Sequence, residues 1–188
     1  MARLRSPEKR RAILDAAVAE IAEVGLGAAT AKIAQRAGIA AGTLFLYFPN
    51  KEDLFNELYL DLKTDVYQRI NSTFPAKASL EKRARHLWLS YLDWAIEFPL
   101  KRKVSVQLNL CDILTPATRE QSAEERHLID AVMREIDQHA SLRNLPKGFA
   151  GATMSALQQA TMDFIQQNPK QRTEIAEQAF QLFWRAVR

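Results

Sequence analysis

The sequence predicts an all-α protein with a small N-terminal helix-turn-helix domain and a larger C-terminal helical domain. Apolar residues recur at helical spacing in every long segment, and no stretch alternates apolar and polar residues for more than a few positions, as a strand would. The six glycines and seven prolines fall mostly where the helical patterns break. With 47% apolar residues among 188, the chain can bury a core in both domains.

The first helix is predicted to begin at Ser6–Glu8 and to end at Gly25. Serine is a favoured N-cap, proline suits the first helical turn, and an acidic residue is stabilised near the positive end of the helix dipole. Ile13, Ala17 and Ile21 repeat every four residues, so they form the buried stripe of this helix.

Two short helices joined by a turn follow. Ile33, Ala34 and Ala37 are the apolar positions of a helix of about two turns, which Thr30 is expected to cap. Gly38 stands where a residue with left-handed backbone would end that helix. This layout predicts a helix-turn-helix at about residues 30–49, and therefore a DNA-binding protein.

The second short helix is expected to bury Leu44, Phe45 and Phe48. A helix of fewer than about 12 residues is marginal in water, so its neighbours must hold it in place. Its outer face is then available to a partner. That face is predicted to consist of Ala40, Ala41, Thr43, Leu46 and Tyr47.

The segment resembles the DNA-binding domain of the tetracycline-repressor (TetR) family of transcriptional regulators. The residues that match at fixed spacing are Ile33-Ala34, Ala37-Gly38, Gly42–Phe48 and Lys51–Leu54, and the match extends over roughly residues 7–60. The resemblance implies a homodimeric, ligand-responsive, sequence-specific repressor that a small, apolar or amphipathic effector releases from double-stranded operator DNA. It divides the chain into a DNA-binding domain at 1–50 and an effector-binding and dimerisation domain at 51–188.

The resemblance also implies which residues contact DNA. Thr30, Tyr47 and Lys51 match positions that contact phosphates, and Gly42 and Thr43 match the start of the recognition helix, where the backbone approaches the bases. The full set implied at the interface is Thr30, Lys32, Ala40, Ala41, Gly42, Thr43, Leu46, Tyr47 and Lys51.

Two positions depart from the family pattern. Relatives often have serine at the position of Ala40, where it caps the recognition helix, and lysine at the position of Ala41, where it reaches a guanine. The missing cap is expected to cost about 0.5–2 kcal/mol of local stability. The missing lysine removes a base contact worth about 1–3 kcal/mol, so the operator preference of relatives does not transfer to this chain.

The positive charge of the chain lies at its N-terminal end. The formal net charge is +4, and the residues up to Lys51 hold the whole excess, with eight basic residues against four acidic ones. The basic stretch from Arg3 to Arg11 is either a solvated terminus or an arm for phosphates or a minor groove.

The composition also bears on the compartment. No run approaches the roughly 18–20 apolar residues of a membrane helix, and the basic N-terminus leads into an amphipathic helix instead of an apolar signal region. Cys111 is the single cysteine, so no internal disulfide is possible, as expected in a reducing compartment. We therefore expect a cytoplasmic protein without membrane contact.

The rest of the chain is predicted to be helical. Asn50 is a candidate N-cap for a helix that continues to Ser72, long enough to link two domains. Further helices are expected at about 79–97, 101–113, 116–140, 147–167 and 170–187.

The last two of these helices, at 147–167 and 170–187, carry apolar stripes interleaved with small residues, and in the resembled family the final helix pair forms the dimer interface. We accordingly expect homodimerisation through 147–187, although these helices could instead only close the core of one subunit.

Aromatic and methionine side chains in the larger region suggest an effector pocket, although for any one of them core packing is the simpler explanation. A cavity lined by such residues suits a small apolar ligand, and the resemblance implies that a ligand site exists. The candidates are Trp88, Tyr91, Leu92, Leu108, Cys111, Met133, Met154 and Met162.

Two other classes of protein stay open. An all-α enzyme could converge on a group of Cys111, a histidine and Asp112, but His86, His127 and His139 show no metal-ligand spacing, and no nucleophile elbow or phosphate-binding loop is present. A helical scaffold without DNA binding would leave Tyr47 and Lys51 unexplained. The sequence points to no metal, cofactor or catalytic residue.

Overall fold

The computed structural model describes residues 6–188 and confirms the all-α prediction. Within that range the chain forms ten α-helices, a short 3-10 helix at Pro169–Gln171, and no strand. The helices are α1 (Pro7–Val24), α2 (Thr30–Arg36), α3 (Ala41–Tyr47), α4 (Lys51–Ser72), α5 (Leu80–Glu97), α6 (Pro99–Asn109), α7 (Pro116–Glu125), α8 (His127–Ile136), α9 (Phe149–Gln167) and α10 (Arg172–Val187).

Contacts divide the chain into two compact units. The first extends to Asp65 and includes Phe98–Glu124, and the second consists of Val66–Glu97 and Glu125–Arg188. Helix α4 contributes residues to both units, because the division falls between Asp65 and Val66. The division of function at residue 50 stays a prediction, because compactness does not test where DNA binding or effector binding resides.

The first unit is built on α1, which packs against α2 and α6, while α2 packs against α3. Its core is apolar and draws on the first part of α4 as well. The short helices therefore contribute a few side chains each to a core that the long helices supply. The largest fully buried side chains are Ile13, Leu14, Ile21, Ile33, Leu44, Phe48, Leu54 and Phe55.

The second unit is a bundle in which α5 packs against α8, α9 and α10, and α9 packs against α10. Trp88 lies at its centre, stacked on Phe183 with ring centroids 6.2 Å apart and tilted against Phe180. The indole Nε1 of Trp88 donates a hydrogen bond to the backbone oxygen of Ala176 at 2.9 Å. The buried indole is thus satisfied within the core.

The prediction of a single helix at 116–140 is wrong. The chain forms α7 and α8 instead, with a turn at Arg126 between them. The boundary between the compact units falls between Glu124 and Glu125, so the two helices pack into different cores. The sequence is helical in pattern on both sides of Arg126 and gives no signal for a helix end there. The helix ends because the residues before and after this point pack into separate cores.

Candidate nucleic-acid interface

The turn between α2 and α3 has the geometry expected of a helix end. Gly38 has φ +69°, a left-handed conformation that glycine adopts without the steric cost of a side chain. The amide of Gly38 donates to the oxygen of Gln35 at 3.1 Å, and the amide of Ile39 donates to the oxygen of Ala34 at 3.0 Å. These bonds close the end of α2 and set the direction of α3.

Neither short helix is capped by a side chain. Ala29 is the N-cap of α2, so the expectation that Thr30 caps it is wrong: Thr30 is the first helical residue, one position too late for its hydroxyl to serve. Ala40 is the N-cap of α3 and makes no side-chain cap hydrogen bond. The missing cap at Ala40 is confirmed.

Helix α3 buries fewer residues than its sequence suggests. Leu44 and Phe48 lie in the core, but Phe45 is 45% exposed, so its expected place in the inner stripe is wrong. Leu44 and the C-cap residue Phe48 form one i, i+4 pair in the core, and Phe45 is turned about 100° away from Leu44. Leu46, at 64% exposure, points outward as expected.

The predicted DNA-contacting residues lie at or near the surface. Five are exposed and four are half-buried. The exposed residues are Lys32, Ala40, Ala41, Gly42 and Leu46, and the half-buried ones are Thr30, Thr43, Tyr47 and Lys51. Their role in DNA binding stays a prediction.

Two of the half-buried side chains are held by neighbours. The phenolic oxygen of Tyr47 accepts a hydrogen bond from the amide of Ser6 at 3.0 Å, which leaves the phenolic O–H available to donate to another group. The ammonium group of Lys51 lies 5.2 Å from the centroid of the Phe55 ring. Both contacts reduce the conformational freedom of polar groups that the family resemblance assigns to phosphates.

Several basic residues near the N-terminus are paired with acidic residues. Arg10 pairs with Glu57, and a guanidinium nitrogen of Arg11 lies 2.7 Å from Asp61, so both arginines connect α1 to α4. They do not extend a basic arm, and that part of the arm hypothesis is wrong. Arg3 and Arg5 lie outside the described residues.

Arg36 at the end of α2 is paired as well. Its guanidinium group contacts Glu23 at 2.6 Å and Glu20 at 2.9 Å, both on α1. The hydrogen bonds to Glu23 and then Glu20 raise the pKa of Arg36 above its ordinary value. This ion pair attaches α2 to α1 and lowers the number of positive charges that can act on DNA.

Sequence reasoning missed Asn56, a buried polar residue on α4. Its side-chain Nδ2 donates to the backbone oxygens of Glu52 at 2.8 Å and Ile113 at 3.2 Å. Its Oδ1 accepts from the amide of Thr115 at 2.9 Å. One side chain thus connects the first turns of α4, directly after the helix-turn-helix, to the segment that precedes α7.

The predicted effector residues are divided between the two units. Leu108 and Cys111 belong to the first unit, where Leu108 is buried in the core and the Cys111 thiol donates to the Leu108 oxygen at 3.1 Å. A cleft of about 450 Å³ in the first unit is lined by none of the eight candidates. The effector site stays a prediction. The candidates in the second unit are Trp88, Tyr91, Leu92, Met133, Met154 and Met162.

The described residues contain neither a membrane-spanning helix nor a metal-binding cluster. No helix within 6–188 is long and apolar enough to cross a membrane. That range also contains no group of three or more histidine, cysteine, aspartate or glutamate side chains arranged to hold a metal ion. His86 and His139 each donate a ring N–H to a backbone oxygen, of Ile70 at 2.7 Å and of Val187 at 2.9 Å.

Comparison with known proteins identifies the fold. Residues 13–58, from α1 into α4, match the model of bacterial regulatory proteins of the tetR family. The chain superposes on a tetR family transcription regulator from Shewanella sp. PV-4 with a TM-score of 0.83 and 27% identity, covering 97% of this chain and 98% of that one. The chain is thus similar to TetR family regulators, in sequence over residues 13–58 and in fold over nearly its whole length.

Two further relatives extend the comparison. The fatty acid metabolism regulator protein of Bacillus subtilis is 39% identical over 72 residues, which are 38% of this chain and 37% of that protein. The chain thus spans about two fifths of the length of this relative. The transcriptional regulator FadR from Bacillus subtilis, solved in complex with stearoyl-CoA, shares the fold with a TM-score of 0.72 at 21% identity, covering 95% and 99% of the two chains.

Proposed function

We propose that this protein is a TetR-type, sequence-specific DNA-binding transcriptional regulator that acts as a homodimeric repressor. The observation that carries the proposal is the pair α2 and α3, joined at Gly38, with an exposed outer face on α3. In helix-turn-helix proteins the second helix of such a pair enters the major groove. A protein of this kind acts on the chromosome, so we place it in the cytoplasm, and we assign it no catalytic activity.

Phosphate contacts are proposed to position the protein on the duplex. Thr30, Tyr47 and Lys51 lie at the ends of the two short helices and at the start of α4, half-buried and each with an oxygen or ammonium group that can meet a phosphate. Gly42 and Thr43 are proposed to lie closest to the bases. Because Arg10 and Arg36 are already paired with carboxylates, Lys51 should carry a large share of the electrostatic attraction.

Lys51→Ala tests the phosphate role. The variant should bind all DNA sequences more weakly, and the slope of log affinity against log salt should become shallower by about one unit, because one fewer counterion is released. Fluorescence anisotropy at a series of salt concentrations measures both quantities. Lys103→Ala is the matched control, since Lys103 is an exposed lysine on α6 of the same unit. An unchanged slope for Lys51→Ala would contradict the assignment.

An apolar stripe supports dimerisation through 147–187. On α9, residues spaced three and four apart are exposed, from Phe149 through Ala152, Ala156 and Ala160 to Phe164. Phe164 and, on the adjacent α10, Leu182 are 60% and 58% exposed. Small residues allow close approach of helices, and exposed large apolar residues gain from being covered. We propose that a second copy of the chain covers this stripe.

Ala160→Glu tests the dimer. The carboxylate would be solvated in a separate subunit but buried without a partner in the dimer, so association should weaken by about 3–5 kcal/mol and operator affinity should fall with it. Light scattering and anisotropy measure the two effects, and circular dichroism checks that the helices persist. Ser155→Glu is the control, because Ser155 is exposed on α9 about a third of a turn from the stripe. A variant that stays dimeric would contradict the interface.

The effector is proposed to bind in the second unit and to act through α4, which continues from the DNA-binding unit into that unit. Two recognition helices must lie about 34–36 Å apart to enter successive major grooves, so a tilt of α4 would disturb DNA binding. A full release requires a preference of about 5.5 kcal/mol for the non-binding state. The FadR chain of the same fold is in complex with stearoyl-CoA, so a long-chain acyl-CoA is the first compound to test for operator release.

A further inference from the structure

The exposed side chains of α3 contain no group that can hydrogen-bond a base. Two i, i+4 pairs make up this face, Ala41 with Phe45 and Gly42 with Leu46, and all four residues are exposed. They present a methyl group, an aromatic ring, a bare backbone and an isobutyl group. Bidentate recognition of guanine or adenine requires arginine, lysine, asparagine or glutamine, and α3 carries none of these.

The polar side chains of α3 are placed beside this face. Thr43 and Tyr47 are half-buried, and around the helix they lie about 60° and 100° from Leu46, at the edge of the exposed face. The phenolic oxygen of Tyr47 already accepts a hydrogen bond from the amide of Ser6. The two largest exposed side chains of the helix are therefore apolar, Leu46 at 64% and Phe45 at 45% exposure.

A major groove offers such side chains one apolar group, the C5-methyl of thymine. We propose that α3 reads its operator through thymine methyl groups, with Leu46 as the main contact and Phe45 beside it. This inference rests on the proposed function and deepens it, since it names the chemical feature of DNA that the protein selects. The contacted half-sites should accordingly contain thymine at fixed positions, and guanine should not be specified by α3.

The test begins with selection of preferred sites from random double-stranded DNA by the full-length protein. Each thymine of one selected half-site is then replaced by deoxyuridine, which removes only the methyl group and keeps every hydrogen-bonding group. Affinity should fall about fourfold at each contacted thymine, the factor expected for the loss of one buried CH₂-sized group. A cytosine in place of that thymine should bind weakly, and 5-methylation of the cytosine should restore part of the affinity.

Leu46→Ala assigns the contact to a residue. This exposed side chain can be removed without opening the core, and the variant should bind the thymine and deoxyuridine sites equally at one position. Leu100→Ala is the control, because Leu100 is an exposed leucine on α6 of the same unit and its variant should keep the full preference for thymine.

Three outcomes would overturn the inference: equal affinity for all thymine and deoxyuridine sites, a Leu46→Ala variant that keeps the methyl preference, or selected half-sites without a fixed thymine. In each of these the protein still binds DNA, so the proposed function stands. A chain that binds no DNA would instead overturn the proposed function and this inference with it.

Discussion

The four N-terminal helices form two pairs that are stabilised in different ways. The long helices α1 and α4 carry side-chain caps: the Ser6 hydroxyl accepts from the amide of Lys9 at 3.3 Å, and the Asn50 Oδ1 accepts from the amide of Asp53 at 2.7 Å. Ion pairs from α1 to α4 add further connections. The short helices α2 and α3 begin after alanines and have no side-chain cap.

The difference indicates where the stability of the domain originates. A seven-residue helix has little stability of its own, so α2 and α3 depend on the apolar side chains that they insert into a core built by the long helices. The residues on their outer faces are therefore not constrained by core packing and can be suited to binding a partner. Phe45 and Leu46 illustrate this, since both are large apolar residues that stay exposed on α3.

Asn56→Ala should have the largest effect on the long helices. The substitution leaves the amide of Thr115 and the oxygen of Ile113 without a partner in a buried environment, so the free energy of unfolding should fall by about 2–3 kcal/mol. Urea denaturation measures this loss. Asn109→Ala, at an exposed asparagine on α6, should change stability by less than about 0.5 kcal/mol. Equal losses in the two variants would show that the Asn56 hydrogen bonds contribute little.

Asn50→Ala removes the cap of α4 and should cost about 1 kcal/mol of unfolding free energy. The reciprocal substitution is Ala40→Ser, which supplies a cap to α3 at a residue that already has the extended backbone of an N-cap. It should gain up to about 1 kcal/mol. Both changes are measured in the same urea titration. If Ala40→Ser gave no gain, the lack of a cap would not be what distinguishes the short helices.

Gly42→Ala should separate stability from function. A methyl group at Gly42 would meet no other atom within 4 Å, and alanine is the better helix former, so the unfolding free energy should rise by about 0.5–1 kcal/mol. DNA affinity should fall, because the added methyl lies on the face proposed to approach the bases. Thermal denaturation and anisotropy measure the two effects.

Gly27→Ala is the matched control for this prediction. Gly27 also has open space around it and lacks a left-handed φ, but it lies outside the helices. Its alanine variant should leave DNA affinity unchanged. Full DNA affinity of Gly42→Ala would mean that the backbone at residue 42 stays away from the bases.

Most of the helix-turn-helix could be predicted from the sequence because its determinants are local. The N-caps Ser6 and Asn50 act on amides three residues away, and the turn at Gly38 depends on the backbone preference of a single residue. The prediction that Phe45 is buried was wrong. Helical periodicity identifies which apolar residues could face the core, but the space that the core offers decides how many of them are buried. At α3 and its C-cap, the core admits only Leu44 and Phe48.

The sequence by itself determined the helical class, the caps at Ser6 and Asn50, the turn at Gly38 and the resemblance to the TetR family, because each depends on residues a few positions apart. The tertiary structure decided the partners of Arg10, Arg11 and Asn56, which lie 47 to 59 residues away along the chain. It also decided that α7 and α8 are separate helices and that Leu108 is buried in the first unit. Such pairings depend on how distant segments pack, and no local spacing encodes that packing.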